Sequence, residues 1–234
     1  MDEIAALFRA DAQPTFLSAI VTHGVFSTGP LSATHAGVAD LKIGPVSSDT
    51  ALSASARWLM DTILASEPLA GVEVGAEELR AVTMEKLVAN AVINPLTAIF
   101  RVPNGEVLDP ALTPLREALV AETSAVILAH LATLGPLDVP TTERFSPSRL
   151  RAMVERVCEA TAGNRSSMLQ DVEAGRGTEV RYINGWIVRK GREMGMGVEV
   201  DEMVLGMVER GGVKGLWEVG RLMGRLERAG RSGG

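Results

Sequence analysis

The chain has 234 residues, 46% of them hydrophobic, enough to bury a substantial core and to exclude disorder as its main state. Acidic residues outnumber basic ones 29 to 23, and the net charge of −6 argues against a nucleic-acid-binding surface. Three histidines and the single Cys158 are too few and too scattered for a zinc cluster, and one cysteine forms no internal disulfide. No metal site is expected.

The N-terminus, Met1-Asp2-Glu3-Ile4, is acidic and matches neither a signal peptide nor a transit peptide. Thr15 to Thr28 is rich in β-branched and aromatic residues and runs into Gly29-Pro30, a turn signal. Leu31 to Pro45 offers two further short strands parted by Gly37, so an antiparallel meander is expected. From Ser47 the apolar period changes from 2 to 3.6: Leu52, Ala56, Leu59, Met60, Ile63 and Leu64 share a helical face, with Ser48 or Asp49 as the cap. Val72-Glu73-Val74 reads as a brief strand. Helices are then predicted over 76–100, 110–133, 147–162, 166–175, 180–195, 201–211 and 213–229, with Ser146-Pro147 a strong start signal. Gly230 to Gly234 reads as a frayed tail.

The fold class is therefore α+β and mainly α: a small β-rich piece over 1–75, then a helical domain over 76–234. Three short strands and one helix bury too little to stand alone, so that piece needs the helical domain or another partner. The apolar stretches 88–100 and 118–134 are broken by Asn90, Asn94, Pro95, Glu122 and His130, and no membrane span is expected. A cytoplasmic location follows, with a mitochondrial one as the alternative.

Lys86, Asn90 and Asn94 fall at i, i+4 and i+8 on one stripe of a helix that is otherwise nearly all apolar. A lysine and two asparagines there either line a cavity, with the lysine pKa lowered by desolvation, or form a solvent-facing stripe with the lysine snorkelling. Pro95 removes a backbone donor and is expected to kink the helix beside Asn94. A second polar cluster, Asn164 to Asp171 followed by Arg176-Gly177-Thr178-Glu179, reads equally well as helix capping. Cys158 reads as a buried inert thiol, and His23, His35 and His130 as local or core histidines. Met194, Met196, Met203 and Met207 suit a core or a dimer face, and the Gly220/Gly224 spacing is weak evidence of helix contact.

Taken in order, the segments Lys86-Leu87-Val88-Ala89-Asn90-Ala91-Val92-Ile93-Asn94-Pro95-Leu96-Thr97-Ala98 and Pro103-Asn104-Gly105-Glu106 resemble the first signature of the ketopantoate reductase (2-dehydropantoate 2-reductase) family. Asn164-Arg165-Ser166-Ser167-Met168-Leu169-Gln170-Asp171 with Thr178-Glu179-Val180-Arg181-Tyr182-Ile183-Asn184-Gly185 is similar to its second. Thr22-His23-Gly24 and Ile43-Gly44-Pro45 are similar to its strand motifs, and the likeness reaches about Val208. The resemblance implies remnant strands of a Rossmann-type domain, then an all-α domain like that of 6-phosphogluconate dehydrogenase-type reductases. It implies NADPH-dependent reduction of the small 2-keto acid 2-dehydropantoate to pantoate, in pantothenate and coenzyme A synthesis. Lys86 would protonate the carbonyl oxygen, Glu179 would orient that lysine, and Asn90, Asn94, Asn104 and Ser167 would hold the substrate.

The family pattern begins with a Rossmann half carrying G-x-G-x-x-G, and this pattern does not occur in the 234 residues. Gly191 to Gly197 has the wrong spacing. Asp201 and Met203 depart from the proline and capping residue that many members carry before their last helix. Cofactor-binding residues are unidentified, Glu179 being the one candidate. Three readings stand: a fragment of an active reductase, an inactive truncated paralogue serving as a helical binding or assembly module, or a chain completed by a separate nucleotide-binding chain. The expected partner is that chain or a second copy in a homodimer.

Overall fold

The structure, a computed structural model, describes residues 2–9, 13–48, 51–136, 138–211 and 224. The helix expected over 213–229 lies outside the described residues apart from Gly224, as do Asp49, Gly220 and the glycine tail. The chain divides into two units, Met1–Met84 and Glu85–Gly234.

In the first unit, α1 (Asp2–Ala5) precedes β1 (Leu17–Val21), β2 (Gly24–Gly29), β3 (Ser32–Gly37), β4 (Leu41–Pro45), α2 (Ala54–Leu64) and β5 (Gly71–Glu73). The expected meander is not formed. β1 skips its neighbours and pairs antiparallel with β4, from Leu17↔Pro45 to Val21↔Leu41, while β2 and β3 make a separate hairpin. β4 also pairs in parallel with β5, a pairing that requires a crossover, which α2 supplies. The reason is burial: Leu41 and Ile43 of β4 and Met60 of α2 form the core, with Leu17, Leu52, Ile63, Leu64 and Leu69 packed on it. The central place goes to the strand that is buried deepest, not to the next in sequence. Backbone approach is closest at Gly44, where a Cβ would lie 2.1 Å from the Val74 carbonyl oxygen. The α2 cap is Ser53, the residue just before the helix, whose hydroxyl accepts from the Ala56 amide at 3.2 Å, and not Ser48. His23 Nδ1 accepts from the Ala39 amide at 3.1 Å, so its Nε2 carries the proton and donates to the Leu69 carbonyl at 2.8 Å. His35 donates to the same Nδ1 at 3.0 Å, the local role expected of both histidines.

The long helix α3 (Ala76–Phe100) leads into the second unit, followed by α4 (Thr113–Leu134), α5 (Val139–Arg144), α6 (Pro147–Ala160), α7 (Ser167–Glu173), α8 (Asn184–Glu193) and α9 (Glu199–Glu209). Residues 91–99 of α3 are buried without exception, which explains why hydrophobic residues surround this part of the helix on every side. The helix is not interrupted at Pro95. Helix α5 was not expected; its signal is Asp138, whose carboxylate caps the Thr141 amide at 2.8 Å, with Pro140 in the first turn. The helix predicted over 180–195 is two pieces, a 3₁₀ turn (Glu179–Arg181) and α8, parted at Ile183 where ψ is −87°.

Among the described residues, Pro110–Leu134 is long and apolar enough to cross a membrane by length and composition. Here α4 packs against α6, α8 and α9 and buries Val120, Val126 and Ile127, as a core helix does. Cys158 on α6 is fully buried, and desolvation pushes its thiol pKa up to about 11, so it stays an inert thiol. His130 of α4 stands edge-on to Trp186, ring centroids 5.2 Å apart.

The α9 N-terminus starts at Val198, which has no capping side chain. Glu122 of α4 serves instead, its two oxygens accepting from the Val200 and Asp201 amides at 3.0 and 2.6 Å. Asp201 is fully buried beside it; burial, reinforced by the Glu122 carboxylate, holds the Asp201 pKa well above the ordinary range. The folded state therefore retains a proton that the unfolded chain releases at lower pH, so this pair favours folding at acid pH and loses that contribution as pH rises. Asp201→Asn should flatten that slope: its melting temperature relative to wild type rises between pH 5 and 8. Asp201→Ala, which strands the buried amide and hydroxyl bonded to this carboxyl, should cost about 1–3 kcal/mol in denaturant melts.

Candidate active site

The residues singled out on α3 sit at three depths. Lys86 is on the exposed part of the helix, Asn90 is half-buried, and Asn94 is buried. At 1.5 Å per residue, Asn90 and Asn94 follow Lys86 by about 6 and about 12 Å along the axis. Enough protein surrounds the Lys86 ammonium for desolvation to lower its pKa, while the carboxylate of Glu179 acts in the opposite direction. The charge of Glu179, on the 3₁₀ turn after α7, is thus felt at Lys86 on α3. Desolvation makes the lysine a readier proton donor, and the carboxylate favours its charged form.

Deeper along the stripe the arrangement is held by hydroxyls. The Thr97 hydroxyl donates to the Asn94 carbonyl at 2.8 Å, so its contact of 2.6 Å with Ser166 must be a bond donated by the serine. Ser166 Oγ in turn accepts from the Leu169 amide at 3.0 Å, capping α7. The adjacent serines therefore divide their roles. Ser166 is buried and structural, and Ser167, the first residue of α7, is exposed.

Asn104 comes from the loop after α3. Its amide nitrogen donates to Thr161 Oγ1 at 2.9 Å, and its backbone N–H donates to the Asn164 carbonyl at 2.9 Å. The carbonyl oxygen of its side chain is buried without a hydrogen-bond partner. An unpaired buried acceptor is costly, and a hydroxyl or water reaching it would recover that cost. The Asn104 loop lies against the turn before α7, where a Cβ on Gly105 would come within 2.8 Å of the Ala162 Cβ and 3.0 Å of its Cα.

The fold thus places Glu179 within electrostatic reach of Lys86, and joins the Asn94 backbone, Asn104 and the Ser167 helix start through Thr97, Ser166, Thr161 and Asn164. Thr97 and Ser166 are not legible as site supports in the sequence. The signal available was a threonine inside the buried run of α3, three residues after an asparagine.

With that geometry in view, comparison with known proteins gives a consistent answer. Residues 78–211 match the family described as ketopantoate reductase PanE/ApbA, C-terminal. The ketoisovalerate reductase BEA2 of Gibberella fujikuroi is 36% identical over 231 residues, an alignment covering 84% of this chain and 51% of the relative. The 2-dehydropantoate 2-reductase of Vibrio cholerae is 34% identical over 201 residues, covering 86% and 62%. Among solved structures, D-mandelate dehydrogenase with NADH and anilino(oxo)acetate shares the fold at a TM-score of 0.65 and 23% identity, covering 82% of this chain and 58% of that one. The chain belongs to the ketopantoate reductase family, as its motifs indicated, and its mainly helical fold is that of the family's C-terminal domain. It spans about half the length of the first of these relatives.

The tight loop contact can be tested directly. Gly105→Ala drives a methyl into Ala162 and should destabilise the chain by about 1–3 kcal/mol, read as a lower denaturant midpoint with an unchanged slope.

Proposed function

We propose that this chain carries the keto-acid half of a ketopantoate-reductase-type site and takes part in reducing 2-dehydropantoate to pantoate. The observation that supports this most is Lys86 at the exposed end of the asparagine stripe, its pKa lowered by desolvation and countered by the charge of Glu179. As a 2-keto group becomes an alcohol, negative charge gathers on its oxygen. An ammonium at that oxygen neutralises the charge and then gives up its proton. Glu179 keeps the lysine protonated and aimed. Asn90, Asn94, Asn104 and Ser167 supply uncharged donors and acceptors for the substrate's hydroxyl and carboxylate.

NADPH is the reductant that the family resemblance implies. The residues present do not fit its phosphates: G-x-G-x-x-G does not occur in the sequence, and the α2 N-terminus is capped by its own Ser53. No step is therefore assigned to residues of this chain through the nucleotide, and a separate nucleotide-binding chain or domain is the partner this reading calls for. Ketoisovalerate is the competing substrate, favoured by the name of the Gibberella relative. Both are small 2-keto acids and meet the same lysine.

Lys86→Ala should lower 2-keto-acid-dependent NADPH oxidation by roughly 100-fold or more, in whatever assembly supports turnover. Because the acid form of Lys86 is the active one, the rate falls as pH rises through its lowered pKa. Glu179→Gln removes the charge that opposes the lowering, so the alkaline limb should move to lower pH. A Lys86→Ala rate equal to wild type would falsify this reading. Keto-acid binding with no NADPH oxidation in any assembly would leave a binding module in its place.

A further inference from the structure

The proline in α3 leaves a gap in the helix ladder. An amide N–H at position 95 would bond to the carbonyl of residue 91, and proline has none. Residue 91 lies between Asn90 and Asn94, and both it and Pro95 are buried, so water is not at hand to fill the gap. The gap is filled from another helix. Asn184, the first residue of α8, points its amide nitrogen at the Ala91 carbonyl oxygen at 2.8 Å, and it is fully buried. The second proton of that nitrogen goes to Asp201 Oδ1 on α9, also at 2.8 Å. Asp201 Oδ2 accepts from Thr123 on α4 at 3.3 Å, and the amides of Val200 and Asp201 are held by Glu122. A carbonyl can only accept, so the orientation of the Asn184 amide is dictated by Ala91. Its own oxygen is left buried without a partner, a cost tolerated for the sake of the two bonds to nitrogen.

We propose that Asn184 is a positioning residue for the keto-acid site, replacing the backbone donor that Pro95 lacks and fixing the turn of α3 that carries Asn90 and Asn94. Through Asp201 the same contact fastens that turn to α9 and α4, so three helices set the pitch of the stripe. Asn184 touches no substrate in this scheme. It acts by denying α3 the bend that an unpaired carbonyl before a proline would invite. The proposal rests on the keto-acid reading of the site.

The test is a cycle of four proteins: the 234-residue chain, Asn184→Ala, Pro95→Ala, and the double variant. Alanine at 95 restores the N–H, so the Ala91 carbonyl no longer needs Asn184. The readouts are the side-chain amide NMR signals of Asn90 and Asn94, and the affinity for 2-ketoisovalerate and 2-dehydropantoate by calorimetry, with and without NADPH. Asn184→Ala should move both amide signals and weaken keto-acid binding about tenfold, the scale of one lost hydrogen bond. Pro95→Ala alone should bind as wild type does. The double variant should recover most of the affinity and return the amide signals toward those of Pro95→Ala. If Asn184→Ala does not fold, recovery of the fold in the double variant carries the same support. A wild-type chain that binds neither keto acid overturns the reading of the site, and the positioning role with it. A wild-type chain that binds, with Asn184→Ala equally tight or with no rescue by Pro95→Ala, overturns the positioning role alone.

Discussion

A buried helix has to satisfy every backbone group it carries, and α3 meets that constraint under adverse conditions. Its second half is sealed from solvent, contains a proline, and bears Asn94 and Thr97 among its buried residues. Each polar group there is unfavourable without a partner, since desolvation of a lone amide or carbonyl costs more than most single contacts return. The surrounding helices can be read as answers to that demand. Asn184 meets the Ala91 carbonyl, Ser166 meets Thr97, and Asp201 meets Asn184. Remove α3 and these side chains lose their reason to be buried.

The same economy separates the buried residues of the proposed site from the exposed ones. Asn94 and Asn104 are buried, the Asn104 amide held by Thr161, whereas Lys86, Glu179 and Ser167 are exposed. A proton donor must meet solvent or substrate to be recharged, while a group that orients a ligand works best when its own rotamer is fixed. Desolvation acts on Lys86 and on Asp201 with opposite chemical results. It lowers the pKa of Lys86 and raises that of Asp201, in each case by penalising the charged form.

Much of this was legible from the chain itself. The periodicity over 76–100 located α3 to the residue, and Ser146-Pro147 marked the start of α6, because both signals depend on neighbours within one turn. The lysine and asparagines announced themselves as polar residues on an apolar helix. What was not legible depended on partners far apart in sequence. The pairing of β1 with β4 in place of β2 follows from which strand is buried deepest, and no local pattern encodes that. Ser53, not Ser48, caps α2 because capping needs a hydroxyl within reach of particular amides. That α3 runs on through Pro95 with the Ala91 carbonyl satisfied was not legible, since the donor that stands in for the missing N–H is 93 residues away from Ala91.

The sequence by itself determined the positions of most helices, because those follow from short-range spacing and residue type, and the resemblance of its motifs to known signatures pointed to the family. Only the tertiary structure decided which polar groups are free to act. Whether an asparagine holds a ligand or mends a helix, and whether a carboxylic acid is charged or protonated, depends on the groups packed around it. Burial and partnership are properties of the folded chain, and they turned Asp201, a departure from the family pattern, into the clamp behind Asn184.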